Sequence, residues 1–338
     1  MLSAMQIRDA TRDDAAKIAA IYSPHVSDSA VSFELVPPSA QAMASRIERA
    51  TWRYPWIVAV IDEEIAGYAY ASPFRTRPAY RFAAESTVYV DPAFQKGGVG
   101  KRLMQSLLNR LYSGGHHRVF ACITLPNEGS VALHESLGFD AAGVFSEVGQ
   151  KFQSWHDVGF WGLTLSDESV PLPDHTANEW RMRFSSANSE PARKLMELLS
   201  AELAQRYGSH HDGSGDFTAS EADGKGSAFL MGWLQDAPVA CGAVRRLEAD
   251  VAELKRMFVT PECRGKGLSK RMLNRLELEA GRLGYRTLRL ETGVLQPEAI
   301  SLYETTGFQR IPCYGKYAAY ARSVCYEKAL GDDADGSS

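Results

Sequence analysis

Adding 169 to a residue number carries Gln95 to Arg264, Gly98 to Gly267, Gly115 to Gly284, Gly138 to Gly307 and Phe139 to Phe308 without a gap. A chain of 338 residues that holds one pattern twice at half-length spacing is constrained to two related domains. Each copy is long enough to bury a core of its own.

The pattern itself is a strand, a glycine-bearing turn and a helix. In the first copy STVYVDP (Ser86 to Pro92) is rich in β-formers and stops at Asp-Pro. QKGGVGKRL follows, and then Leu103, Met104, Leu107, Leu108 and Leu111 share one face of a helix that Gly114 and Gly115 end. The turn is not a P-loop, because Gln95 stands where the first glycine belongs and Arg102 where Ser or Thr belongs. A dinucleotide turn fails as well, with Leu103 at the third glycine. What remains, Q-x-x-G-x-G at a helix start, turns several backbone N–H groups outward beside the positive end of the helix dipole, an arrangement suited to a pyrophosphate. An ordinary tight turn would explain either copy alone. It does not explain why ELKRMFVTPECRGKGLSKRML, with Arg264-x-x-Gly267-x-Ser269, returns at a matching distance from a second L-x-E-x-x-G-F, in LHESLGF (Leu133 to Phe139) and LYETTGF (Leu302 to Phe308).

A strand, [QR]-x-x-G-x-[GA], a helix and a later L-[HY]-E-x-x-G-F together resemble the GNAT superfamily of acetyl-CoA-dependent N-acetyltransferases. The resemblance runs through nearly the whole chain, twice. In the first half IRDATRDDAAKIAAIY, FELVPP, PFRTRPAYRFAAESTVYV, ITLPNEGSVALHESLGF and VGQKFQSWHDVGFWGL are similar to the phosphinothricin and methionine sulfoximine acetyltransferase branch. The second half resembles a generic bacterial GNAT domain in which Ser269 replaces the usual final Gly or Ala.

The resemblance implies an α/β (α+β) fold of tandem GNAT domains, each a mixed, splayed β-sheet flanked by helices. The expected domains are residues 1–165 and 180–331, with a linker at 166–179 and a disordered tail at 332–338. It implies acetyl-CoA as cofactor, bound in the first copy by Val88, Tyr89 and Val90, by Lys96, Gly97, Gly98, Val99, Gly100 and Lys101, and by Asn127. In the second copy the corresponding residues are Met257, Val259, Arg264, Gly265, Lys266, Gly267, Leu268, Ser269 and Lys270. It places Glu85 as general base, which the chemistry requires because an amine is mostly protonated at neutral pH. His134 takes the second catalytic position, where an imidazole can relay a proton. For the acceptor, a free amino acid presents a carboxylate that Arg75 and Arg77 could bind. Phe33, Glu34, Tyr80, Lys151 and Trp155 match further pocket positions of the branch. The expected partner is a small amino-acid substrate, and both a homodimer and an intrachain pseudo-dimer are compatible with the branch.

For the second half two readings stand. It is an acetyltransferase of unknown substrate, with Tyr303 as acid and Glu253 as base, or it is an inactive structural or acetyl-CoA-sensing module. Leu254, not a carboxylate, stands 169 residues beyond Glu85, although a one-residue bulge would bring Glu253 there.

Composition narrows the partners. A net charge of -4 gives no general attraction to nucleic acid or anionic membrane, and no apolar run is long enough to span a bilayer. Charges in MLSAMQIRDATRDD interrupt any signal core, so the expectation is a cytoplasmic protein. Its five cysteines, odd in number and without C-x-x-C, read as reduced thiols. The adjacent pairs His116-His117 and His210-His211 lack metal-site spacing, so no metal is expected.

Elsewhere the periodicity predicts a helix from Thr11 or Asp13 through Tyr22, strands at about 56–62 and 65–72 around a turn, a strand at 118–124 and a β pair near 144–165. SDESVPLPDHTANE is polar and aperiodic, as a linker is. The second copy opens with the strand RMRF and a helix from Pro191 to Tyr207. The loop GSHHDGSGDFTASEADGKGS after it is either disordered or a mobile lid.

Overall fold

The computed structural model describes residues 5–49, 53–166, 169–170, 180–208 and 217–330. The chain divides into two compact units, Met1–Ala177 and Asn178–Ser338. Residues 209–216 of the glycine- and serine-rich loop, most of the expected linker and the 332–338 tail lie outside the described residues.

The first unit runs, in chain order, β1 (Gln6–Asp9), α1 (Ala15–Ser27), α2 (Ala40–Glu48), β2 (Trp56–Ile61), β3 (Glu64–Pro73), β4 (Ala83–Val90), α3 (Val99–Ser113), β5 (Arg118–Thr124), α4 (Glu128–Glu135), β6 (Asp140–Lys151) and β7 (Ser154–Thr164). Its seven strands lie in the order β1-β2-β3-β4-β5-β7-β6. Among the described residues only β4 and β5 run parallel; every other paired neighbour is antiparallel. The β2–β3 hairpin turns at Asp62 and Glu63, both at positive φ, the geometry that matches a two-residue turn to strand twist.

Helix α1 is longer than its expected end at Tyr22. Pro24 falls in the last turn, where its missing N–H costs one bond, and the Asp28 N–H closes on the Pro24 carbonyl at 2.9 Å. Helix α2, which the sequence pattern did not announce, is capped by Ser39, whose Oγ accepts from the Ala42 N–H at 3.2 Å. Helix α3 buries Leu103, Met104, Leu107, Leu108 and Leu111 completely against the sheet, each worth about 2 kcal/mol of apolar transfer. Val170, within the expected linker, also sits in this core.

The second unit repeats this plan with β8 (Trp180–Phe184), α5 (Glu190–Tyr207), α6 (Ala219–Ala222), β9 (Ala228–Leu234), β10 (Ala237–Arg246), β11 (Val251–Val259), α7 (Leu268–Arg282), β12 (Thr287–Gly293), α8 (Pro297–Thr305), β13 (Gln309–Ile311) and β14 (Ser323–Ala329). The sheet order is β8-β9-β10-β11-β12-β14-β13, again with one parallel pair, β11 and β12. Met272, Leu273, Leu276 and Ala280 of α7 are fully buried.

A bulge distinguishes the two sheets. Ala83 to Glu85 pair with Arg118 to Phe120, and Val251 to Glu253 pair with Thr287 to Arg289. The offset is 168 on one strand and 169 on its neighbour, so β11 carries one extra residue before the turn. Arg256 takes it up at φ 57°, opposite a register step between Cys241 and Ala243. Glu253 therefore stands in the register of Glu85. Among the described residues no helix is long and apolar enough to cross a membrane.

Candidate active sites

Both turns have one backbone. A short 3-10 turn, Pro92–Phe94 or Pro261–Cys263, leads into it. Lys96 and Gly98 have φ of 63° and 79°, and Gly265 and Gly267, 169 residues later, have 75° and 74°. Nothing lies within 4 Å of a Cβ built on Gly98 or Gly267, so conformation and not space demands glycine there. Gly100 is different: its Cβ would touch Val90 at 3.4 Å and Leu133 at 3.5 Å. Gln95 Nε2 donates to the Val90 carbonyl at 3.5 Å, and Arg264 Nε donates to the Val259 carbonyl at 2.9 Å. The first residue of the motif thus folds back on the end of its strand. Arg264 spends its guanidinium there and on Glu202, whose carboxylate accepts from Nη2 at 2.6 Å. The N–H groups opening α3 and α7, with Lys96, Lys101, Lys266 and Lys270 exposed nearby, are a cradle-like arrangement that a diphosphate would fit.

Beside each cradle the sheet parts. Strand β4 stops pairing with β5 after Glu85, though it runs on to Val90 and β5 to Thr124. In the second unit β11 leaves β12 after Leu254 and continues to Val259. Backbone groups of Ser86 to Val90 and of Lys255 to Val259 therefore edge an open cleft where an amide-bearing arm can dock. Val88, Tyr89 and Val90 lie on that edge, and Tyr89 turns its ring to Tyr22 (5.0 Å) and His25 (4.8 Å). Met257 packs its sulfur over Gly242.

Glu85 is half-buried at the apex of the first cleft, and Cys122 donates its S–H to Glu85 Oε2 at 3.4 Å. Burial and the Glu85 charge push the Cys122 thiol up to about 12, so it stays protonated beside the carboxylate. His134 is buried in α4, and its Nδ1 lies 2.8 Å from the Ser130 carbonyl. A carbonyl only accepts, so Nδ1 carries the hydrogen and Nε2 keeps a lone pair. Nε2 is buried without a hydrogen-bond partner. Desolvation lowers the His134 pKa, which favours the neutral ring. Asn127 caps α4, its Oδ1 accepting from the Ser130 N–H at 3.1 Å. Among the described residues no hydrogen bond or ring contact joins His134 to Glu85.

The expected substrate residues fall into two groups. Arg75 lies over the Phe74 ring at 4.4 Å, and Phe74 stacks on Phe120 at 4.4 Å with Tyr80 at 6.1 Å. This places Arg75 on the Glu85 side, where its charge acts on Cys122. Arg77 is exposed. Phe33 rests on Gly149, where a Cβ would come within 2.1 Å of its ring, and Trp155 is 58% exposed on β7. Lys151 departs from the expectation: its ammonium is buried and donates to the Ser32 carbonyl at 2.5 Å, holding the loop that carries Phe33 and Glu34. Sequence reasoning missed Arg46, which grips Glu34 with two bonds of 2.7 and 3.0 Å, and Tyr22, whose hydroxyl donates to Glu34 at 3.0 Å. Tyr70, hydrogen-bonded to Thr87 and within the field of both Glu34 and Glu85, was also missed.

The second unit arranges its groups differently. Glu253 is 0% exposed; Arg245 Nε and Nη2 donate to Oε2 at 2.8 and 2.6 Å, and Tyr314 Oη donates to Oε1 at 3.0 Å. Both carboxylate oxygens are thus engaged by fixed donors. Lys255, its pKa lowered by burial, donates to Tyr317 Oη at 2.7 Å. Tyr303 is buried against Phe308 (5.7 Å) and Tyr326 (6.2 Å), which mirrors His134 against Phe139 (5.1 Å). Glu291 takes the place of Cys122, 169 residues on, one residue past the last β11–β12 pair. It is half-buried, accepts from Ser323 Oγ at 2.6 Å, and its charge raises the Tyr303 pKa further after desolvation. The repeat offset would have found it. The Tyr207 ring covers Gly293 at the end of β12, and its hydroxyl accepts from the Leu295 N–H at 2.9 Å.

Two splayed mixed sheets, each with a diphosphate cradle beside the gap, agree with the family models that match the chain. An acetyltransferase (GNAT) domain model covers residues 7–159, and the acetyltransferase (GNAT) family model covers 192–308. The chain belongs to the GNAT acetyltransferases, and the class is N-acetyltransferase. Within that class its first half is 40% identical over 169 residues to phosphinothricin N-acetyltransferase of Streptomyces viridochromogenes, covering 50% of this chain and 92% of that protein. It is 32% identical over 168 residues to the L-methionine sulfoximine/L-methionine sulfone acetyltransferase of Salmonella typhimurium, covering 49% and 98%. A solved GNAT superfamily phosphinothricin acetyltransferase from Sinorhizobium meliloti, in complex with acetyl-CoA, is 34% identical, with a TM-score of 0.47 over 52% of this chain and 96% of that one.

Proposed function

We propose that the first unit transfers an acetyl group from acetyl-CoA to the α-amine of a small amino acid of the phosphinothricin or methionine sulfoximine kind. The observation that carries the reading is a half-buried carboxylate, Glu85, at the last paired position before the sheet opens. The relatives that act on phosphinothricin and methionine sulfoximine span this same half. The cradle fits the coenzyme's diphosphate through Gly98, Val99, Gly100 and Lys101, and the open edge of Val88 to Val90 fits its amide arm. When bound, acetyl-CoA supplies an activated thioester acyl group.

The chain's own groups do the rest. Glu85 takes the proton that the acceptor amine must lose, at a carboxylate oxygen within the cleft. His134 holds a lone pair at Nε2 that can receive a proton and return it, with its tautomer fixed by the Ser130 carbonyl. Arg75 pairs with the acceptor carboxylate, and Tyr80 and Phe74 wall the same side. Lys151 and Arg46 act as positioning residues through the 32–34 loop.

The second unit is a further N-acetyltransferase with Tyr303 as acid. Because Arg245 and Tyr314 occupy Glu253, Glu291 is the carboxylate that receives the amine proton in this reading. Purified protein with acetyl-CoA should release thiol when methionine sulfoximine or phosphinothricin is added. No release across a panel of amino acids would overturn the assignment of the first unit. Release from other amines that survives Glu85→Gln and is lost in Glu291→Gln would support that of the second.

A further inference from the structure

Two of the five cysteines stand together in the second unit, one of them on the strand that pairs with Glu291. Cys325 lies on β14, buried, paired with Ile311 of β13 on one side and with Glu291 of β12 on the other. Cys313, half-buried, is two residues beyond Ile311, the last β13 residue paired with β14 and the partner of Cys325. Its Sγ reaches across to the Ser323 carbonyl at 3.5 Å, two residues before Cys325, and the Cys313 side chain lies near enough to act on the Cys325 thiol. The residue after Cys313 is Tyr314, which donates to Glu253, and the 3-10 turn Gly315–Ala319 follows with Tyr317 over Lys255 at 5.1 Å. These residues roof the buried Glu253–Arg245–Lys255 cluster. The remaining cysteines are placed elsewhere: Cys122 at the first cleft, and Cys241 and Cys263 buried in their own surroundings.

We propose that Cys313 and Cys325 form a reversible disulfide that fixes this roof over the second cleft. Strand β13 ends at Ile311, so the chain at 312–314 is free of ladder bonds and can bring Cys313 the remaining distance, while Cys325 is held by pairing on both sides. The oxidant is a low-molecular-weight disulfide such as oxidised glutathione. The Cys313 thiolate attacks one of its sulfurs, forming a mixed disulfide and releasing one glutathione thiolate. Cys325 then loses its proton and attacks Cys313 Sγ, breaking the mixed disulfide and releasing the second glutathione. Two protein thiols are oxidised and one glutathione disulfide is reduced to two thiols. Cys325 is buried and Cys313 only half-buried, so Cys313 is the site of entry and the second step is the slow one. A closed bridge joins residues twelve positions apart and withdraws freedom from the segment that carries Tyr314 and Tyr317.

The test uses the full chain incubated with oxidised glutathione and then freed of it. Titratable thiols should fall from five to three, and dithiothreitol should restore them. Trypsin without reductant should yield peptide 311–316 (IPCYGK) joined to peptide 323–328 (SVCYEK), and amides of 314–320 should exchange more slowly in the oxidised protein. Cys313→Ser and Cys325→Ser should each abolish the joined peptide, and Cys122→Ser should leave it intact. Five thiols persisting after oxidation, joined peptides of another composition, or unchanged exchange at 314–320 would each overturn the proposal.

Discussion

Two clefts built on one plan hold their carboxylates in opposite ways. In the first, the strand before the turn offers Glu85, whose hydrogen-bond partner among the described residues is a protonated thiol. In the second, the carboxylate of the same register is sealed by Arg245 and Tyr314, and the neighbouring strand offers Glu291 where the first unit has Cys122. A position in a repeat conserves backbone, not duty. The cradle survives both times because φ and exposed N–H groups define it, whereas an acid–base group depends on which side chains crowd it.

Four experiments probe this contrast. The largest effect is expected for Glu85→Gln, which should lower kcat/KM for amino-acid acceptors by roughly two to four orders of magnitude while calorimetric affinity for acetyl-CoA is unchanged. If Glu253→Gln instead produced that loss with the same acceptors, the assignment of the first cleft would fail. Next, Arg245→Ala should destabilise the second unit by about 3 kcal/mol in denaturant unfolding, because it leaves the buried Glu253 carboxylate with only the Tyr314 hydroxyl and a lysine 4.0 Å away. An effect near zero would mean that Arg245 does not hold the Glu253 carboxylate in place, and would return Glu253 to candidacy as a base. Gly98→Ala and Gly267→Ala each force a side chain into left-handed backbone at about 1–3 kcal/mol. Each should remove one of two acetyl-CoA equivalents in calorimetry, and a wild-type stoichiometry of one would mark one cradle as inactive.

The smallest effect concerns pH. Burial lowers the His134 pKa below its ordinary 6.5, so the unfolded chain binds that proton first as pH falls. Stability of the first unit should therefore decline as pH drops below 6.5 toward the native value, and His134→Gln should flatten part of the slope. His25, also lowered by burial, should contribute a further part of the slope. A slope unchanged in His134→Gln would place its ionisation elsewhere.

Much of this was legible in the residues because glycine and periodicity are local signals. The 169-residue repeat, both cradles and the buried faces of α3 and α7 follow from φ requirements and from 3.6-residue spacing. The bulge at Arg256 was legible only as a mismatch between Glu85 and Leu254, since register belongs to a pair of strands and not to one. Lys151 at the Ser32 carbonyl spans 119 residues, and Arg46 on Glu34 joins a helix without a strong pattern to a loop. Such contacts are made by tertiary packing, which composition does not encode. Glu291 was within reach, because the offset that pairs Gly98 with Gly267 also pairs Cys122 with Glu291.

The ring of Tyr207 on Gly293 sets a limit on exchanging parts between the two halves. Its hydroxyl stands 2.0 Å from where any β-carbon at that position would sit, and the equivalent residue of the first unit is Thr124. Transplanting the first unit's strand into the second would evict the tyrosine, release the Leu295 amide and loosen the mouth of α8. A chimera of these twins would thus need its α5 helix recut along with the graft.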